Sequence, residues 1–276
     1  MSISSESKDV EKTFQEADIH RQWEDSYGTE ENAKFYEQVF NYIASVLNAQ
    51  KNSTILDVGC STGTHSIRLV KRGFSVLAVD YSEYVLKIAE LNLQDSSLKD
   101  NIKLQHENIL SLSFAARTFD YILCWGVLMH IPDIEKAISE LDRVLKKDGI
   151  LVISEANMFS LQSIILRSLK LLLGKEKATV KKTAAGLEYW SLTSSGKLLT
   201  REANIRWLKR QFKSKGFTIK KHVSGQFTEL YTKFSFGLTI KFIHYFNYLW
   251  FKYVRIPHLA FGNIIILEKH RTEDPI

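Results

Sequence analysis

The segment Ile55-Leu56-Asp57-Val58-Gly59-Cys60-Ser61-Thr62-Gly63-Thr64-His65 carries the most legible chemistry in the chain. A short apolar run ends in a glycine-containing turn, and a helix start follows. Such a unit sets a ligand at the carboxyl edge of a sheet, and glycine lets the backbone come close to it. The dinucleotide fingerprint would require glycine at positions 59, 61 and 64. The chain has Gly59, Ser61 and Thr64, which argues against a nicotinamide or flavin enzyme. A second acid, Asp80, closes the apolar run Ser75–Asp80. An acid in that place accepts hydrogen bonds from ribose hydroxyls. The competing reading is that Asp80 only ends the strand, with Ser82 capping the next helix.

Periodicity predicts the elements that must position these residues. Val10 to Trp23 and Glu31 to Leu47 read as helices, the second with Phe35, Val39, Ile43 and Val46 at helical spacing. Strands are predicted at Thr54–Val58, Ser75–Asp80, Ile102–His106, Phe119–Cys124 and Ile150–Glu155. Helices at His65–Arg72, Glu83–Asn92 and Ile134–Lys146 are interleaved with them. This alternation predicts βαβ units and a parallel sheet. The rhythm breaks over Asn157–Thr200, where Phe159–Leu173 reads as a basic amphipathic helix and a Gly/Ser/Thr/Lys-rich stretch follows. It resumes with helix Glu202–Lys215, strand Phe217–Val223, the aromatic segment Phe227–Val254 and strand Gly262–Glu268. The expected organisation is a helical arm or lid over 1–50, a core of 51–156 and 201–270 that includes the segment 227–254, and a cap insertion at 157–200.

At 276 residues and 45% hydrophobic, the chain suits one large domain, or one with an inserted cap. Its net charge of +6 is uneven: Met158 to Lys221 holds 15 Lys+Arg against 3 Asp+Glu, leaving the remainder acidic. A segment so biased either is a solvated face or meets an acidic substrate, an anionic membrane or nucleic acid. No Arg-rich tract or aromatic strand platform is present, so no nucleic-acid partner is expected. A nucleic-acid binder with a vestigial pocket is kept as the rival from another class. Cys60 and Cys124 lack metal-type spacing, so neither a metal centre nor a disulfide framework is expected, and a reducing compartment fits. Met1 to Asp9 is polar, and no run reaches the roughly 18 apolar residues of a spanning helix. The expected location is cytoplasmic, extending to peripheral contact with the inner face of a membrane.

The first loop resembles motif I of class I S-adenosylmethionine-dependent methyltransferases, in which an acid stands two positions before the first glycine. Asp57, Gly59 and Gly63 match, and Ser61 replaces the middle glycine. Phe119 to Asp133 resembles the family's later segment. Leu141 to Gly149 is similar to its "leucine–lysine–proline–glycine–glycine" turn, with Lys147 and Asp148 substituted. The matching stretch runs from about Ile55 to Glu155 and is most similar to small-molecule methyltransferases of ubiquinone and sugar biosynthesis. The resemblance implies an α/β, Rossmann-like sheet, mostly parallel with an antiparallel last strand, helices on both faces and an inserted substrate cap. It implies S-adenosyl-L-methionine as cofactor and S-adenosyl-L-homocysteine as product.

By the same resemblance, Asp57 would attract the methionine ammonium, and the loop at Gly59, Ser61 and Gly63 would receive its carboxylate. Asp80 would hold the ribose, with Tyr81 beside it. Asn108 stands where the family has an acid for the adenine amine, with Glu107 as its rival and Ile109 at the ring edge. Trp125 would lie over the sulfonium or the adenine. Arg21, Trp23 and Tyr27 are similar to an arm that folds over the cofactor and excludes water. The implied reaction is methyl transfer to a small-molecule acceptor, foremost at a hydroxyl oxygen, with an amine or amino sugar as the alternative. A hydroxyl needs its proton removed, which makes His130 and Glu155 candidate catalytic bases, with His222 behind them. Tyr27, Tyr189, Trp190 and Arg201 are expected to face the acceptor. Phe227–Val254 is expected to cover the pocket with a stripe of Phe234, Leu238, Phe242, Tyr245 and Leu249. An anionic bilayer surface is its second home.

Overall fold

The computed structural model describes residues 10–16, 19–20, 26–49, 53–94, 98–173, 180–194, 196–234 and 236–270. Along them run strands β1 (Thr54–Val58), β2 (Ser75–Asp80), β3 (Ile102–His106), β4 (Phe119–Trp125), β5 (Leu145–Ala156), β6 (Val180–Lys182), β7 (Gly186–Leu192), β8 (Lys197–Ala203), β9 (Phe217–Ser224) and β10 (Gly262–Lys269). The helices are α1 (Glu30–Leu47), α2 (Thr64–Val70), α3 (Glu83–Gln94), α4 (Ile134–Val144), α5 (Leu161–Leu172), α6 (Ile205–Ser214) and α7 (Gly237–Leu249). Seven strands form one sheet in the order β3-β2-β1-β4-β5-β10-β9. β10 runs antiparallel to both its neighbours, and the first five strands pair in parallel.

Successive strand residues point to opposite faces. Leu56, Ile122, Leu151 and Ile265 join α4 and α6 on one face, and Ile55, Leu123, Val152 and Ile264 join α1 and α2 on the other. Burial on both faces is why these strands read as continuous apolar runs rather than alternating ones. Capping sets the helix starts: Asp133 accepts the Lys136 amide ahead of α4, and Asn204 accepts the Trp207 amide ahead of α6.

The structure corrects several expected elements. Of the helix expected over Val10–Trp23, residues 10–13 and 19–20 are helical, and 14–15 form a turn between them. The Gly/Ser/Thr/Lys-rich stretch contains a second antiparallel sheet, β6-β7-β8. Glu202 belongs to β8, and α6 starts three residues later. α7 buries Ile243, His244 and Asn247, whereas Phe234, Leu238, Phe242 and Tyr245 of the expected covering stripe are exposed.

Arg201, expected to face an acceptor, is a staple instead. Its side chain is 1% exposed. Nε and Nη2 donate to Glu188 Oε1 at 3.2 and 3.0 Å, and Nη1 donates to the carbonyls of Leu128 and Ile131 at 3.0 Å each. The small sheet is thereby tied to the turn that follows β4. Arg201→Met should lower the unfolding free energy by roughly 3–5 kcal/mol, because Glu188 is left buried without its partner. Urea denaturation measures this; a loss below about 1 kcal/mol would put the pair in the class of surface bridges.

Candidate active site

The loop between β1 and α2 is shaped from within. The amides of Gly59 and Cys60 donate to the Val79 carbonyl at 2.8 and 3.0 Å, and the Gly63 amide donates to the Cys60 carbonyl at 3.0 Å. The Ser61 amide donates to Asp80 Oδ2, and the Ser82 amide to Asp80 Oδ1, each at 2.9 Å. Ser61 adopts φ 50°, the left-handed region that favours glycine, which explains the middle glycine of the pattern that this loop resembles. Gly59 has φ 72°, and a Cβ there would lie 2.3 Å from Val127 Cγ2. Gly63 starts α2 at φ 80°.

Above this loop opens a cavity of about 580 Å³. Gly59, Ser61, Asp80, Tyr81, Ile109 and Trp125 line it, as expected of cofactor contacts. Asp57 does not. It is buried behind the loop, where Ser66 Oγ donates to it at 2.6 Å, and burial raises its carboxyl to about 7. Asp57 is thus set behind the loop rather than on the cavity wall. Asn108 also lies off the cavity: its Oδ1 accepts the Leu110 amide and its Nδ2 donates to Glu11, both at 2.9 Å. Glu107 lines the cavity in its place, held by Gln105, the Ser113 amide and the Ser113 hydroxyl. Arg21 and Trp23 fall outside the described residues.

Both catalytic candidates line the same cavity. His130 Nδ1 lies 2.7 Å from the Leu199 carbonyl oxygen. A carbonyl only accepts, so Nδ1 carries the hydrogen and Nε2 is the basic nitrogen. Burial lowers this imidazole to about 4. Glu155 is 3% exposed. Its Oε1 accepts the Leu128 amide at 3.1 Å, and its Oε2 is buried with no hydrogen-bond partner among the described residues. Burial raises it to about 8, against the opposing pull of Arg201 and the Leu128 and Met129 amides. His222 is elsewhere, 2.7 Å from Asn263 Oδ1.

Of a third wall only Tyr27 was anticipated, as an acceptor-facing residue. Tyr27 donates to Glu229 Oε2 at 2.9 Å, and Tyr27, Tyr36 and Glu229 all line the cavity. Burial raises Glu229 to about 7, and the neighbouring Glu229 carboxylate, with burial, holds the Tyr27 hydroxyl far above its usual range. The available signal was its isolation: Glu229 is the only Asp or Glu between Glu202 and Glu268. Arg68 was missed as well. It is buried at the cavity, and among the described residues its Nε has no hydrogen-bond partner, Glu37 being 3.6 Å away. Tyr189 and Trp190 lie on β7, off the cavity, Tyr189 beside Arg167 and Glu202. From the cap, Thr200 lines the cavity, and from α7 no residue does.

Gly59→Ala should cost about 1–3 kcal/mol, from the left-handed backbone and the approach to Val127. The melting temperature should drop by several degrees, and Val127→Ala in the same chain should return part of the loss. An unchanged melting temperature would mean that the loop and the turn after β4 do not touch.

Residues 49–229 match the family model described as "Methyltransferase domain". A demethylmenaquinone methyltransferase of Staphylococcus epidermidis is 34% identical over 119 residues, 42% of this chain and 48% of that protein. A ubiquinone biosynthesis O-methyltransferase of Coxiella burnetii is 30% identical over 158 residues, 57% of this chain and 66% of that protein. The chain thus spans about half to two-thirds of the length of these relatives. Magnesium protoporphyrin IX methyltransferase from Synechocystis PCC 6803, solved with bound S-adenosylhomocysteine, shares the fold at TM-score 0.60 and 15% identity, covering 95% of this chain and 99% of that one. With the family model covering more than half of its length, and with this sheet, loop and cavity, the chain belongs to the methyltransferase-domain family, of the class I S-adenosylmethionine-dependent type.

Proposed function

We propose that this chain transfers a methyl group from S-adenosylmethionine to a hydroxyl oxygen of a small-molecule acceptor, with Glu155 as the general base. The observation that carries this reading is the buried Glu155 carboxyl in the cavity wall, its Oε2 unpartnered and its ionisation pushed to about 8.

The residues present fit the cofactor. Each Asp80 oxygen takes one amide and keeps acceptor capacity for ribose hydroxyls. The amides of Gly59, Cys60, Ser61 and Gly63 are engaged within the fold, so the methionine carboxylate is assigned to the Arg68 guanidinium instead. Tyr81, Glu107 and Ile109 form the adenine end, and Trp125, packed against Tyr36, Phe40 and His65, the aromatic wall. When bound, S-adenosylmethionine supplies an electrophilic methyl on a sulfonium, which departs as a neutral thioether. The task left to the protein is alignment of the acceptor and removal of its proton. Ionised Glu155 takes that proton. His130, neutral and with its Nδ1 hydrogen directed at Leu199, presents Nε2 as an acceptor that orients the hydroxyl.

A second reading, methylation of an amine, draws on Glu229 between Tyr27 and Tyr36, because a carboxylate flanked by rings suits a cation. The relative named as a ubiquinone biosynthesis O-methyltransferase supports the oxygen reading.

Asp80→Ala should weaken S-adenosylhomocysteine binding by about 1–3 kcal/mol in isothermal titration, since two ribose hydroxyls lose their acceptor. Equal affinity in a folded variant would leave Asp80 a loop anchor alone. For Glu155 the sign is that of a raised carboxyl. The group is protonated and inactive as a base below about 8, so kcat should climb with pH up to that value. Glu155→Gln should remove this limb and lower kcat by about 100- to 10,000-fold. Retained activity with a loss of acceptor affinity in Glu229→Gln would select the amine reading.

A further inference from the structure

Two helices of this fold lack a cover among the described residues. α5 buries one residue, Ser163, while Ile164, Ile165, Leu169, Leu171 and Leu172 (82% exposed) face outward. α7 packs Ile243 and Asn247 inward and leaves Leu238 (87% exposed), Phe242 and Tyr245 outside. Phe234 and Phe236 precede it, and Tyr253, Ile256 and Leu259 follow, all exposed. Scattered apolar residues on a surface need no explanation, but two whole helix faces do.

The two faces leave the molecule from one rim. At the start of α5 the Leu161 amide donates to the Leu259 carbonyl at 3.0 Å. Gln162 Oε1 accepts the Thr228 hydroxyl at 2.5 Å and the Glu229 amide at 2.8 Å. The root of α5 is thus bonded to the chain on both sides of α7. Glu229 and Phe261, which line the cavity, belong to the same rim.

The charge on these segments has one sign. Residues 230–267 contain Lys233, Lys241, Lys252 and Arg255 and no Asp or Glu. Residues 157–187 contain six Lys+Arg and one acid. Lys170, Lys181, Lys182, Lys233, Lys241 and Lys252 are exposed. Aliphatic and aromatic side chains beside lysines, with a single acid in the two segments together, match a bilayer interface, where the rings enter the headgroup layer and the ammonium groups meet lipid phosphates. A second copy of this chain would set lysines against lysines. No described helix is long and apolar enough to cross a membrane, so the contact lies in the plane of the surface.

We propose that the outer faces of α5 and α7, with the segments that flank α7, dock this chain on an anionic bilayer and bring the cavity rim to the leaflet. The proposal is independent of which group is the base and of which atom is methylated.

The test is sedimentation of the full chain with vesicles of phosphatidylcholine alone and of phosphatidylcholine mixed with phosphatidylglycerol, at low and high salt. Binding to the anionic vesicles should be at least about tenfold stronger than to the neutral ones and should weaken as salt shortens the Debye length. Leu172→Glu combined with Leu238→Glu, both at exposed positions, should keep the melting temperature and lose the vesicles. Lys170→Glu combined with Lys241→Glu should lose the preference for anionic lipid. Absence of binding to anionic vesicles at low salt would overturn the proposal, as would equal binding by the leucine double variant. A lipid-free dimer by light scattering that Leu238→Glu dissociates, without vesicle binding, would assign the surface to a second copy and overturn it too.

Discussion

Two backbone amides, those of Ser61 and Ser82, converge on the Asp80 carboxylate, and the shape of the cavity depends on that convergence. One of them holds a non-glycine residue in the left-handed region, a conformation that persists only where its surroundings over-determine it. The other fixes the turn that opens α3. The same carboxylate that is placed to meet a ribose therefore also pins the loop beneath it. With Gly59 pressed against Val127, this loop in turn sets the level of the segment that carries His130. Binding and positioning are joined through a hydrogen bond and one close packing contact.

Around the cavity the electrostatics share one feature. Glu155 is buried and Glu229 half-buried, no cation among the described residues restores their ordinary acidity, and desolvation brings both toward neutrality. Asp57, behind the loop, behaves likewise. Carboxyls poised near the ambient pH are costly to keep, and they tend to be concentrated where protons are exchanged. The imidazoles here move the other way: burial holds His65 at about 3 and His130 at about 4, so both remain neutral acceptors. The site therefore has groups that can take a proton near neutral pH, and the guanidinium that acts on its catalytic end, Arg201, is paired with Glu188.

The legible part of this architecture was local. β1, the loop at Gly59 and the acid at Asp80 lie in one continuous stretch, and their types and spacing state their purpose. The antiparallel last strand came from the resemblance, and its register against β5 and β9 agrees. What could not be read depends on distant contacts. Tyr27 meets Glu229 across 202 positions of sequence. Asn108 lies off the cavity, with its amide nitrogen on Glu11, 97 positions away, and its oxygen on the Leu110 amide. Arg201 looks like a ligand residue until Glu188 and two carbonyls occupy its donors. The stripe of α7 was seen but assigned to the wrong side: its polar members His244 and Asn247 turn inward, where Asn247 bonds both the amide and the carbonyl of Thr228, and the rings turn out.

The Arg201 staple also bears on modularity. The guanidinium sits on the small sheet, yet the carbonyls it holds belong to the turn after β4, whose Leu128 amide grips Glu155. The His130 ring is held by the carbonyl of Leu199, again on the small sheet. The inserted sheet is thus no detachable attachment but part of the frame around the proton acceptor. A sheet grafted from another member of the family would bring its own acceptor preference only if it also reproduced the arginine, its glutamate and the carbonyl facing His130. Diversification of such a scaffold would then proceed by substitution within the insertion more readily than by exchange of the whole.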